Sequence, residues 1–99
     1  MNLEFKDDNL RRLYEEQEFC LPRIGPDLKK AFRKKANFLA SAASLCDLKG
    51  YKALRFKQLK GNRKGQYAIR LNDQFRLIFH VENDKPDSLL IIVDIVDYH

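Results

Sequence analysis

Residues 66–82, QYAIRLNDQFRLIFHVE, alternate apolar and polar side chains twice, with one interruption. Tyr67, Ile69 and Leu71 fall on one side, and Gln66, Ala68 and Arg70 on the other. Phe75, Leu77, Phe79 and Val81 then repeat the apolar side, opposite Arg76, Ile78, His80 and Glu82. A period of two marks strands with one buried face. The interruption, Asn72-Asp73, tolerates positive φ and closes a tight turn. A hairpin of this kind cannot stand alone in water; its apolar face needs a covering layer.

That layer lies earlier in the chain. DDNLRRLYEEQEF places Leu10, Leu13, Tyr14 and Phe19 near helical spacing, with Asp7 or Asp8 as N-cap. CLPRIGPD, with two prolines and a glycine, breaks the pattern. PDLKKAFRKKANFLASAASLC then sets Leu28, Phe32, Leu39, Ala43 and Cys46 on one stripe, with Lys29, Lys30, Arg33 and Lys34 facing away. After residue 50 the period changes from 3.6 to two. ALRFKQL is a candidate strand, KGNRKG a loop and NDKPDS a turn. LLIIVDIVDY is apolar on both sides, as expected of a central strand covered on both faces. NLEFK at the start reads either as a first strand or as the lead-in to a helix. The expected fold is α+β in a single domain over residues 1–99. Helices 8–19 and 27–46 pack on one face of an antiparallel (mixed) β-sheet spanning residues 53–98.

Composition narrows the function. The chain of 99 residues is 44% hydrophobic and 33% charged, too apolar for a disordered tail. MNLEFKDDNLRR has no apolar core segment, so neither a signal peptide nor a membrane span is expected, and the chain is expected to be cytoplasmic. Cys20 and Cys46 lack the close spacing of metal ligands and are expected as small, buried, reduced thiols. The net charge of +5 is concentrated: residues 49–76 carry nine cations and one anion. A localised positive field of this kind attracts polyanions, nucleic acid above all, although a solvated lysine-rich surface has the same composition.

The polar side of the sheet collects Arg55 or Lys57, Arg70, Arg76 and His80, with Lys60, Arg63 and Lys64 in the neighbouring loop. Which of these share a face depends on register, which periodicity alone does not set. The glycines of LKGNRKG would let backbone approach a phosphate, but the spacing is not that of a Walker loop. The chain closes on Asp97, Tyr98 and His99. Asp97 and the terminal carboxylate favour a protonated imidazole at His99, a form suited to protonating a departing oxygen. Cations plus one histidine fit metal-independent RNA cleavage by 2′-hydroxyl attack, for which no cofactor is needed. They equally fit nucleic-acid binding without catalysis, or a protein-interaction module.

LKGNRKGQYAIRLNDQFRLIF followed by a terminal DYH resembles the HigB-type toxins of bacterial toxin–antitoxin systems, within the RelE/ParE superfamily. Leu59, Lys60, Gly61, Arg63, Gly65, Ile69, Arg76, Phe79, Asp97, Tyr98 and His99 carry the resemblance. It implies a RelE-like fold and a ribosome-dependent endoribonuclease, an mRNA interferase acting in the 30S A site. It also implies a helix-turn-helix (HigA-like) antitoxin as partner, with operator DNA reached only through that antitoxin. Asp97, Tyr98, His99, Arg76 and Lys57 are the implied catalytic set. Lys60 and Arg63 are implied binders of RNA or ribosome, and Lys64, Arg70 and Arg55 are expected to extend that surface. Where this family often has a histidine, the chain has Lys57; a lysine of ordinary pKa is a poor base near neutrality. The same resemblance admits a ParE-like alternative that inhibits gyrase by protein contacts and cuts nothing.

Overall fold

The structure, a computed structural model, describes residues 1–82 and 88–97. In chain order it contains β1 (Asn2–Phe5), α1 (Asp8–Glu15), α2 (Pro26–Ser41), α3 (Leu45–Lys49), β2 (Lys57–Gln58), β3 (Tyr67–Arg70), β4 (Phe75–Glu82) and β5 (Leu89–Asp97). The strands form one five-stranded sheet in the order β1-β5-β4-β3-β2. NLEFK is resolved as a strand: β1 runs parallel to β5, with Asn2 opposite Leu89 and Phe5 opposite Ile92. All other pairings are antiparallel, so the sheet is mixed.

Both helices are shorter than their periodicity suggests. α1 starts at the expected cap, where the Asp7 side chain accepts from Asn9 N–H at 2.6 Å. Its end at Glu15 is set by Lys29 of α2, whose ammonium donates to the Glu16 carbonyl at 3.1 Å and the Phe19 carbonyl at 2.6 Å. A cation there complements the negative end of the helix. The expected helix over 27–46 divides in two. Ser41 Oγ donates back to the Phe38 carbonyl at 2.8 Å, and Asp47 Oδ2 accepts from Ala43 N–H at 3.0 Å. Such local bonds compete with helix continuation. The break rotates the chain, so that Leu45 and Leu48 are buried while Ala43 and Cys46 face water. Cys20 is exposed as well, so neither thiol is the small buried hydrophobe expected of it.

Leu10, Leu13, Leu28, Phe32, Ala36 and Leu39 of the helices meet Ile69, Leu77, Phe79, Leu90, Ile92 and Ile95 of the sheet in one core. The helices therefore cover one face only. β5 is central but not enclosed: on its other side Ile91, Val93 and Val96 are half-buried. The candidate strand ALRFKQL contributes just Lys57–Gln58; residues 52–54 form a 3-10 turn, and Arg55 takes a left-handed φ of 53°, which ends any extended run before Phe56. In the loop after β2, Gly61 and Gly65 have φ of 66° and 89°, and a Cβ on either would meet nothing within 4 Å. Their role in the fold is thus backbone handedness rather than close packing.

Two stability changes are expected. Phe32→Ala, at a fully buried position between α1 and the sheet, should cost about 3–5 kcal/mol in urea unfolding. Gly65→Ala should cost about 1–2 kcal/mol, through the left-handed backbone alone, and lower the melting temperature without moving the urea slope.

Candidate functional site

Register decides the composition of the uncovered sheet face. Lys57 stands opposite Ala68, Ala68 opposite Ile78, and Ile78 opposite Asp94. In the next row Arg70 stands opposite Arg76, and Arg76 opposite Val96. Residues paired directly across strands share a face. Ala68 and Ile78 are buried, at 5% and 2% exposure, yet lie outside the helix-side core. Both line a cleft of about 360 Å³. Its walls carry Arg55, Lys57, Arg63 and Arg76 over a floor of Ala68, Ile78 and Val96. Long cationic side chains readily lay their aliphatic stems along an apolar floor of this kind.

Each cation arrives from a different element. The left-handed turn at Arg55 and strand β2 bring Arg55 and Lys57. Arg63 lies on a loop closed by Leu59 N–H to the Gln66 carbonyl, and Gln66 Oε1 receives its guanidinium at 3.1 Å. Arg76 opens β4 and donates to the Asn72 carbonyl at 3.1 Å. That carbonyl is held by an Asx turn, in which Asn72 Oδ1 accepts from Gln74 and Phe75 N–H. Two arginines directly opposed, Arg70 and Arg76, repel each other. Arg70 is drawn aside by an ion pair with Asp73.

Of the residues expected at the site, Arg55, Lys57, Arg63 and Arg76 are brought together. Lys60 and Lys64 lie exposed on the adjoining loop, and Arg70 borders the cleft without lining it. His80 shares the face but sits beyond Ile78, opposite Ile91. Asp97 pairs with Phe75, so it occupies the helix-side position at the same end of the sheet, and its Oδ2 accepts from Gln74 Nε2 at 2.9 Å. Tyr98 and His99 lie outside the described residues. Three contributors were missed in the sequence: Gln66, which orients Arg63; Arg23; and Asp94. Only Asp94 left a signal, as a single charge inside an apolar run.

Among the described residues, no group of three or more His, Cys, Asp and Glu side chains is placed to hold a metal ion, and no helix is long and apolar enough to cross a membrane. Chemically, the cleft sets three guanidiniums and one ammonium beside an apolar floor. Arginine forks pair with two phosphate oxygens at once, and the floor accepts a flat or aliphatic group.

The chain is 40% identical over 80 residues to Toxin HigB-1 of Vibrio cholerae, an alignment covering 80% of this chain and 82% of that protein. Its fold is similar to a YoeB/ParE toxin from Agrobacterium tumefaciens (TM-score 0.54, 15% identity, 100% of each chain covered). It is also similar to a chain of the YoeB-YefM complex from Staphylococcus aureus (TM-score 0.55, 22% identity, 100% of this chain and 97% of that one). A family model described as the RelE-like toxin of the type II toxin-antitoxin system HigB matches residues 3–99. The chain therefore belongs to the HigB-like toxin family.

Proposed function

We propose that the protein is a ribosome-dependent endoribonuclease that cuts mRNA without a metal ion. The observation that carries this reading is the convergence of Arg55, Lys57, Arg63 and Arg76 on one cleft, which Val96 of β5 also lines. Val96 lines the cleft and Asp97 follows it, so the residues next in sequence, Tyr98 and His99, are the natural source of proton-transfer groups. In this scheme Arg76 and Lys57 stabilise charge on the scissile phosphate, and His99 protonates the leaving 5′-oxygen. Tyr98 contacts the phosphate or a base. Asp97, which accepts from Gln74 Nε2 at 2.9 Å, is the neighbour assigned to orient His99. Lys60, Arg63, Lys64, Arg70 and Arg55 hold RNA on the ribosome.

The acid–base set is small for a nuclease acting alone. The ribosome would then supply orientation of the 2′-hydroxyl, a contribution that can be as large as the chemistry itself. Membership of the family and a fold shared with a toxin solved in complex with its antitoxin support a protein partner that silences the cleft. We assign that role to a helix-turn-helix antitoxin of HigA type.

Added to a translating extract, the wild-type protein should generate new mRNA 5′ ends within codons. Arg76→Ala should lower that rate about 100- to 1,000-fold, and His99→Ala about 100- to 10,000-fold, both with ribosome binding kept. Intact message together with trapped gyrase–DNA complexes would instead favour the ParE-like reading. Affinity for RNA should fall with salt, with a log–log slope near −0.7 per phosphate contacted. Arg63→Ala should make that slope shallower by about one contact, read from fluorescence anisotropy at several salt concentrations.

A further inference from the structure

A concavity larger than the cleft lies next to it and has no part in the scheme above. It is a groove of about 820 Å³ between the start of α1, the segment joining α1 to α2, and the middle of β5. Arg63 lines both the groove and the cleft. Leu21, Pro22 and Val93 supply apolar lining, and Asn9, Arg23 and Asp94 supply polar lining together with Lys6 and Asp7. Its volume falls within the range of roughly 300–1,000 Å³ typical of small-ligand sites.

The polar lining is organised. Asp94 Oδ1 lies 3.4 Å from Arg23 Nη2, and its Oδ2 lies 3.7 Å from Arg63 Nη2. Arg23 is anchored in turn to the Ile95 carbonyl at 2.9 Å. One carboxylate thus sits between two guanidiniums at the boundary of the two cavities. It is there because β5 carries one residue more than β4 at Val93: Ile78 pairs with Asp94, but Phe79 pairs with Ile92. Without that bulge Asp94 would take a core position. The 3.7 Å approach to Arg63 is too long for a hydrogen bond, so a phosphate can compete for that guanidinium without breaking a strong bond.

We propose that this groove is a nucleotide subsite, holding the ribonucleotide adjacent to the scissile step, with Arg63 on the phosphate that joins it to the cleft. The inference rests on the RNA-cleaving reading of the cleft. A base needs an apolar surface for its face and fixed polar groups for its edge. Leu21, Pro22 and Val93 supply the first, and Asn9, Arg23 and Asp94 the second. Amide, guanidinium and carboxylate groups discriminate bases by their different donor and acceptor patterns. Asn9 is well suited because its side chain makes no hydrogen bond among the described residues, its backbone N–H being the group that meets Asp7 at the helix cap.

The test is an amide NMR titration of the full chain with 2′-O-methyl trinucleotides, which bind but cannot be cut, varied in base. We expect Asn9 and Val93 to shift together with Ala68 and Ile78. We also expect Asn9→Ala and Asp94→Asn each to reduce discrimination between bases at least fivefold. Asn9→Ala leaves the helix cap and the core intact, so its result is not confounded by unfolding. Shifts confined to Ala68 and Ile78, or variants with wild-type base preference, overturn the subsite and leave the cleft standing. No shift at either place overturns the subsite and the RNA-binding cleft together.

Discussion

The pairing of β4 with β5 is the constraint on which the rest of the molecule depends. Every residue of β4, from Phe75 opposite Asp97 to Glu82 opposite Leu89, has a partner in β5. On its far side β5 also accepts β1, which ties the N-terminal segment to the C-terminal strand. The two sheet faces stay distinct along this ladder only because the bulge at Val93 resets the alternation. Below it Ile92 and above it Ile95 both reach the core, three positions apart, while Asp94 is turned to the open face. One extra residue therefore separates a sound core from one with a carboxylate inside it.

The same register crowds positive charge. Arg76 faces Arg70 across β3, and Lys57, Arg55 and Arg63 close in from β2 and its flanking loops. Here the acids sit at the margins: Asp73 holds Arg70, and Asp94 holds Arg23 and stands off from Arg63. Crowding of like charge on one face sets up a local positive potential, which attracts anions more strongly than the same cations dispersed over the surface would.

Much of this was legible beforehand, for definite reasons. The hairpin of residues 66–82 could be read because its alternation is strict and Asn72 has a turn chemistry of its own. The helix starts were legible because caps and first-turn prolines are local signals. The ends of the helices were not, because they are set by Lys29 reaching back to α1 and by side-chain bonds around Ser41 and Asp47. The parallel docking of β1 was equally hidden: nothing in NLEFK specifies a partner more than eighty residues away. Within the site, the arginines were found by their sequence neighbours, whereas Gln66, Arg23 and Asp94 matter only through what they touch.

Sequence alone determined the kind of layers and the chemistry available: apolar periodicities of 3.6 and two, and a run of cations from Lys49 to Arg76. It also carried enough local pattern, from LKGNRKG to DYH, for the family to be recognised. Tertiary structure decided which cations face one another, which face of the sheet the helices cover, and that a second groove adjoins the first at Arg63. The division has a physical reason. Periodicity and capping are properties of neighbours along the chain, whereas register and bulges are settled by the packing of whole strands, where a shift of one residue exchanges one face for the other.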